Sequence, residues 1–126
     1  MIGYVTLGSN DLARAAAFYD ALCAEMGVGR MMEEDSFIAW GKPGGGAGIG
    51  LTKPFNGAPA SIGNGVMVAL QANDRAHVDR IYAKARALGA QCEGPPGDRM
   101  PGFYAAYFRD PDGNKLNAFF MEAPPG

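Results

Sequence analysis

Val5-Thr-Leu-Gly-Ser-Asn-Asp11 and Val68-Ala-Leu-Gln-Ala-Asn-Asp74 are the two stretches on which the fold turns. Each is an apolar alternation that ends on Asn-Asp, the mark of a strand running into a helix N-cap. Beyond each cap the apolar spacing becomes helical, at Leu12, Ala15, Tyr19, Leu22 and Met26 in the first copy and Val78, Ile81, Ala85 and Leu88 in the second. Ala13, Tyr19 and Ala24 recur in step as Ala76, Tyr82 and Ala87. Chance matching of two amphipathic helices would explain the alanines. It does not explain the shared Val-x-Leu-x-x-Asn-Asp run, which reads as an internal duplication.

Working outward, the helices are expected to end at Gly27 and Gly89. After the first come three strand candidates, at 29–34, 36–42 and 47–52, parted by Glu34-Asp35 and by Lys42-Pro-Gly-Gly-Gly46. In the second copy a strand at 67–72 precedes the helix. A short strand at 91–93, a Gly94-Pro-Pro-Gly97 loop and a hairpin of 102–109 and 115–121 follow it. The tail from Ala123 is expected to be loose. Strand, helix and three strands are thus used twice, as a module at 1–52, a connector at 53–65 and a module at 66–122. This is an α+β chain of two βαβββ modules. A unit so short cannot bury both faces of its sheet, so each helix is expected to cover one face. The other faces, in mixed sheets, are expected to curve around a shared cavity. Pro43 and Gly45 recur as Pro111 and Gly113, which aligns Ile49 with Asn117.

Composition narrows the function. The chain has 126 residues, 48% of them hydrophobic, and a formal net charge of −2. That supports a single buried core and excludes a disordered chain. No basic run suggests a nucleic-acid surface, and no apolar run is long enough for a membrane span. Without a charged leader ahead of an apolar stretch, no signal peptide is indicated, and a cytoplasmic protein with reduced Cys23 and Cys92 is expected. Nineteen glycines and nine prolines agree with many turns between short strands.

Most short motifs resolve into structure. Gly46-Ala-Gly-Ile-Gly50 lacks the strand–turn–helix setting of a dinucleotide fingerprint, and Lys42-Pro-Gly-Gly-Gly46 lacks the Gly-Lys-Ser/Thr ending of a phosphate loop. Asp110-Pro-Asp-Gly-Asn114 has no acidic residue at the bidentate calcium position, so it reads as a tight turn. His77, the one histidine, is assigned to the solvated side of its helix, among Arg75, Arg80 and Lys84. No nucleophile–histidine pair can be built from it.

The duplication, the opening Val-Thr-Leu-Gly with Phe18-Tyr-Asp20, and the closing Phe108-Arg-Asp-Pro-Asp-Gly-Asn-Lys115 resemble the vicinal oxygen chelate superfamily. This is the group of glyoxalase I, bleomycin-resistance proteins, fosfomycin-resistance enzymes and extradiol dioxygenases. The resemblance spans essentially the whole chain and implies the fold more sharply than the reaction. It implies metal-ligand slots at Tyr4, Ile49, Met67 and Asn117, where metal-dependent members carry histidine and glutamate. None of the four is a usual ligand for a divalent first-row metal, so neither metal nor cofactor is expected.

Strand alternation then suggests what lines the cavity. Tyr4 and Thr6 share one face, as do Met67, Ala69 and Gln71, and Asn117 and Phe119. Trp40, Met32, and Tyr104 or Tyr107 are further walls. A metal-free protein binding a small organic molecule, in the manner of the bleomycin-resistance proteins, is the reading that follows, with a homodimer expected. The alternative is an enzyme, either like lactoylglutathione lyase or metal-free with Tyr4 as acid. A tyrosine acid needs a neighbour that makes its proton available, and the sequence names none. A third reading is a structural or partner-binding module whose core is filled.

Overall fold

Asp11 and Asp74 act as the N-caps their positions predict. The Asp11 carboxylate accepts from Arg14 N at 3.2 Å and the Asp74 carboxylate from His77 N at 2.7 Å, each satisfying an otherwise orphaned first-turn donor. They open helices α1 (Leu12–Ala24) and α2 (Arg75–Ala87). Gly27 (φ +69°) and Gly89 (φ +93°) end them, since only glycine takes that left-handed turn at no steric cost.

The computed structural model describes residues 1–123, so the tail expected to be loose lies, from residue 124, outside the described residues. The chain divides into two units, Met1–Asn64 and Gly65–Gly126. In the first, β1 (Tyr4–Gly8), α1, β2 (Gly29–Glu34), β3 (Phe37–Gly41) and β4 (Gly48–Thr52) form a sheet of order β1-β4-β3-β2. In the second, β5 (Val68–Gln71), α2, β6 (Gln91–Met100), β7 (Phe103–Arg109) and β8 (Lys115–Met121) form a sheet of order β5-β8-β7-β6. Each unit is the expected strand, helix and three strands, with one parallel pair (β1–β4, β5–β8) beside antiparallel ones.

The parallel pair sets which side chains face the helix. In the first unit Val5 pairs with Ile49 and Leu7 with Leu51, while Trp40 and Ile38 lie opposite those two on β3. This row meets α1, whose Ala15, Tyr19 and Leu22 are fully buried. In the second unit Val68–Leu116–Phe108 and Leu70–Ala118–Ala106 meet Val78, Ile81 and Ala85 of α2. Burying one such aliphatic or aromatic side chain contributes roughly 1.5–3 kcal/mol, so each unit is stabilised by its own helix–sheet layer.

Three details depart from the sequence reading. The connector is joined to the first unit, because the Asn10 amide donates to Ala60 O at 3.1 Å and accepts from Ala60 N at 2.7 Å. Gly94-Pro-Pro-Gly97 is not a free loop but runs inside β6, which is irregular at both glycines. Strand β6 is a sheet edge, where a proline's missing N–H breaks no ladder bond. His77 is buried at 4% exposure rather than solvated. It lies one helical turn before Ile81, on the flank of the apolar stripe, and its Nδ1 accepts from Asn73 N at 3.0 Å. That contact places a side-chain acceptor at the third helical position, the place a capping-box glutamate would fill.

Candidate functional site

The faces turned away from the helices carry the chemistry. In the first unit this open face holds Tyr4, Thr6, Gly48, Gly50, Phe37 and Ala39 by register. Tyr4 and Thr6 are exposed, and the Tyr4 ring meets Phe37 edge-on at 6.3 Å. Glycines let large side chains lie on the sheet itself. A Cβ on Gly50 would stand 2.7 Å from the Phe37 ring, and one on Gly41 would stand 2.7 Å from Met31 Sδ. A bulge between Arg30 and Met32 sets Met32 beside Ala39 on this same face.

In the second unit the open face runs Ala69–Asn117–Tyr107, then Gln71–Phe119–Ala105, then Met121–Phe103. Ala69 and Gln71 are exposed, whereas Asn117 is 2% exposed. The Asn117 Oδ1 is buried and has no hydrogen-bond partner among the described residues. An acceptor left in that state costs roughly 1–3 kcal/mol, which a donor brought by a ligand would offset. Phe119 stacks on Phe103 at 5.7 Å. At the other end of the face Arg99 and Lys115 both lie over the Tyr107 ring, at 5.3 and 5.4 Å from its centre.

Of the residues expected from sequence, Tyr4 and Thr6 share the first open face, and Ala69, Gln71, Tyr107, Asn117 and Phe119 share the second. Met67 stands just before β5 and is 41% exposed. Trp40 and Tyr104 require correction, since both point to the helix side. Trp40 is 1% exposed, packs on Tyr19 at 5.6 Å, and donates its indole N–H to Asp20 Oδ1 at 2.8 Å. Tyr104 donates to Asp79 Oδ1 of α2 at 2.6 Å. That bond to a carboxylate holds the phenol in its protonated form and raises its pKa. The slot at Ile49 is also displaced. Val5 pairs with Ile49 as Val68 pairs with Leu116, so the residue equivalent to Asn117 is Gly50. The turns before these strands differ by one residue, and the Pro-x-Gly match hid the slip. Arg99 and Lys115 were missed altogether. Lys115 could have been found by its parity with Asn117, whereas Arg99 lay in the stretch taken to follow a loop.

The donors fit poorly to the divalent metal that the fold family implies. Phenol, thioether, amide and a bare glycine replace imidazole and carboxylate at Tyr4, Met67, Asn117 and Gly50. Among the described residues no group of three His, Cys, Asp or Glu could hold a metal ion. A separate cleft of about 700 Å³ opens on the helix side of the first unit, beside Leu12, Arg30 and Glu33. Its Arg30 is committed to Asp20 and Glu33 at 2.8 and 2.6 Å.

A duplicated strand–helix–three-strand unit with one open sheet face per copy defines a class of proteins. The chain belongs to the Glyoxalase/Bleomycin resistance protein/Dioxygenase superfamily, whose family model matches residues 1–118. Among solved structures it is similar to a glyoxalase/bleomycin resistance protein from Albidiferax ferrireducens T118, with 38% identity, TM-score 0.88, and 97% of this chain and 99% of that chain covered. A glyoxalase-related enzyme from Fulvimarina pelagi (22% identity, TM-score 0.79, 100% and 92% covered) shares the fold. So does a lactoylglutathione lyase from Agrobacterium tumefaciens (23% identity, TM-score 0.72, 95% and 92% covered). No curated protein matches the chain.

Proposed function

We propose that this chain binds a small organic molecule without a metal and acts by carrying or sequestering it. The observation behind this reading is the make-up of the second open face. Ala69 and Gln71 are exposed there, beside stacked aromatics and a buried acceptor that no group among the described residues satisfies. A sheet face that were simply core would be closed by apolar side chains. The family supplies the fold, and the residues at its metal slots argue for binding over metal chemistry. The likeness to a lyase lies at 23% identity and carries the fold alone.

A cytoplasmic homodimer completes the proposal. Cys23 and Cys92 are free thiols, as suits a reducing compartment, and among the described residues no helix is long and apolar enough to cross a membrane. Light scattering that finds only monomer across micromolar concentrations removes the dimer. The binding reading is tested with Ala69→Trp and a neutral planar probe, cinnamamide, followed by calorimetry. Ala69 is exposed, so the indole should block the face and abolish binding while the melting temperature stays near that of the parent. A strongly destabilised variant would mean a packed face, and the reading would be lost. Elemental analysis is the second arm: about one zinc, nickel, manganese or iron per chain, lost on changing Asn117, overturns the metal-free assignment.

A further inference from the structure

We infer that the open face of the second unit selects organic anions, with a carboxylate seated between Arg99 and Lys115 and a flat apolar body lying toward Phe103 and Phe119. This deepens the small-molecule reading and rests on it. The chain carries a net charge of −2, yet this end of the face is positive. Glu93 is paired with Arg109 at 2.6 Å and also feels the Lys115 charge, so this one carboxylate faces Arg109 and Lys115 while Arg99 adds a third cation.

Neither Arg99 nor Lys115 forms an ion pair among the described residues. The Arg99 guanidinium donates to Pro95 O and otherwise faces the Tyr107 ring, as does the Lys115 ammonium. Cations held over a ring remain only partly compensated, because ring attraction is weaker than a bidentate carboxylate contact. The glycines of β6 make room for this arrangement. A Cβ on Gly94 would come 3.1 Å from Arg99 Nη2, and one on Gly97 would come 3.0 Å from Nη1. The guanidinium of the exposed Arg99 therefore passes over the strand at these glycines.

Tyr107 and Phe103 are four residues apart on one strand, a span of roughly 13 Å at the usual rise. A flat acid of about that length reaches from the cations to the Phe103–Phe119 stack. Asn117 stands between, beside Tyr107 in register, with its unpaired Oδ1 able to accept a hydrogen bond from the ligand. The chemistry that fits is a planar conjugated carboxylate with a hydroxyl or N–H near its middle.

Calorimetry with cinnamate, its neutral amide cinnamamide, and ortho-coumarate tests this on the whole chain. Cinnamate should bind roughly tenfold or more tightly than cinnamamide, and the preference should shrink as salt rises. Arg99→Gln and Lys115→Gln should each weaken cinnamate by about tenfold and weaken cinnamamide far less, so that the preference for the acid falls. Asn117→Leu, close in volume, should remove any gain of ortho-coumarate over cinnamate. Should the amide bind as well as the acid, or the Gln variants keep full cinnamate affinity, the anion site is refuted and the small-molecule reading stands. If neither acid nor amide binds the parent up to about 1 mM, both are refuted.

Discussion

Phe37 occupies the space that a side chain at Gly50 would need. A Cβ there would meet ring atoms Cε2 and Cζ at 2.7 and 2.8 Å, and Thr6 Cγ2 at 3.5 Å. The equivalent seat in the second unit is filled by Asn117, so the two copies have diverged at this position.

Gly50→Ala should therefore destabilise the first unit by about 1–3 kcal/mol, through displacement of the Phe37 ring. Thermal melts of Gly50→Ala, Phe37→Ala and the double variant form the check. The double variant should cost less than the sum of the singles, because removing the ring removes the clash. Strict additivity would contradict the contact.

Asp20 ties Arg30 and Trp40 to α1, and the Arg30 hydrogen bond holds its carboxyl below the usual carboxylate value of 3.8. A lowered folded-state pKa favours the native state above pH 3.8, and that contribution fades as pH falls through the folded value. Asp20→Asn should thus lower the melting temperature at neutral pH and make little difference in acid. A gap that persists unchanged to pH values well below the carboxylate range would disprove the linkage.

His77 closes the first turn of α2 by accepting from Asn73 N. His77→Ala should cost about 1 kcal/mol or more by orphaning a backbone donor and opening buried space. His77→Gln, which can present an acceptor from the same position, should recover part of that. Chemical denaturation of the three proteins measures the order, and equal stability of Ala and Gln variants would argue against the cap.

Cys23 is 2% exposed and its thiol is pushed up to about 12 by burial, with the nearby Asp20 charge adding to the effect. Thiolate is the reactive form, so Cys23 should resist alkylation at neutral pH in the native state and react only after unfolding. Peptide mapping after brief iodoacetamide treatment reads this directly. Native labelling of Cys23 at a rate near that of a free thiol would count against it.

The duplication made the fold legible because it states the strand, cap and helix twice, and the caps at Asp11 and Asp74 are local chemistry. Faces were harder to read. Alternation sorts side chains into two sets, but Trp40 looked like a cavity wall because its packing against Tyr19 and its bond to Asp20 bridge sheet and helix. His77 was misplaced for a related reason: its flank position on the helix admits either side, and in the structure it is buried and accepts from Asn73 N. The proline pair in β6 hid a strand, since edge position is a property of the sheet order and leaves no local signal. Asn117 was legible from its parity and its place after the Asp-Pro-Asp-Gly-Asn turn. The charges beside it were not, because a cation over a ring requires neighbours that meet only across strands.

The turn between β7 and β8 has a consequence for the order of folding. Asp110 accepts from Asp112 N, Asn114 N and Asn114 Nδ2 at 2.8–2.9 Å, and its own N–H reaches Asn114 O at 2.9 Å. All of these contacts close within five residues, whereas the parallel β5–β8 ladder must bring Val68 to Leu116 across most of the second unit. Loop-closure entropy makes the local contacts cheap and the distant ladder expensive, so the hairpin is expected to form before β5 docks on it. Asp110→Ala should therefore slow refolding of the second sheet, while Leu70→Ala on β5, a buried residue of the late-forming ladder, should mainly speed unfolding.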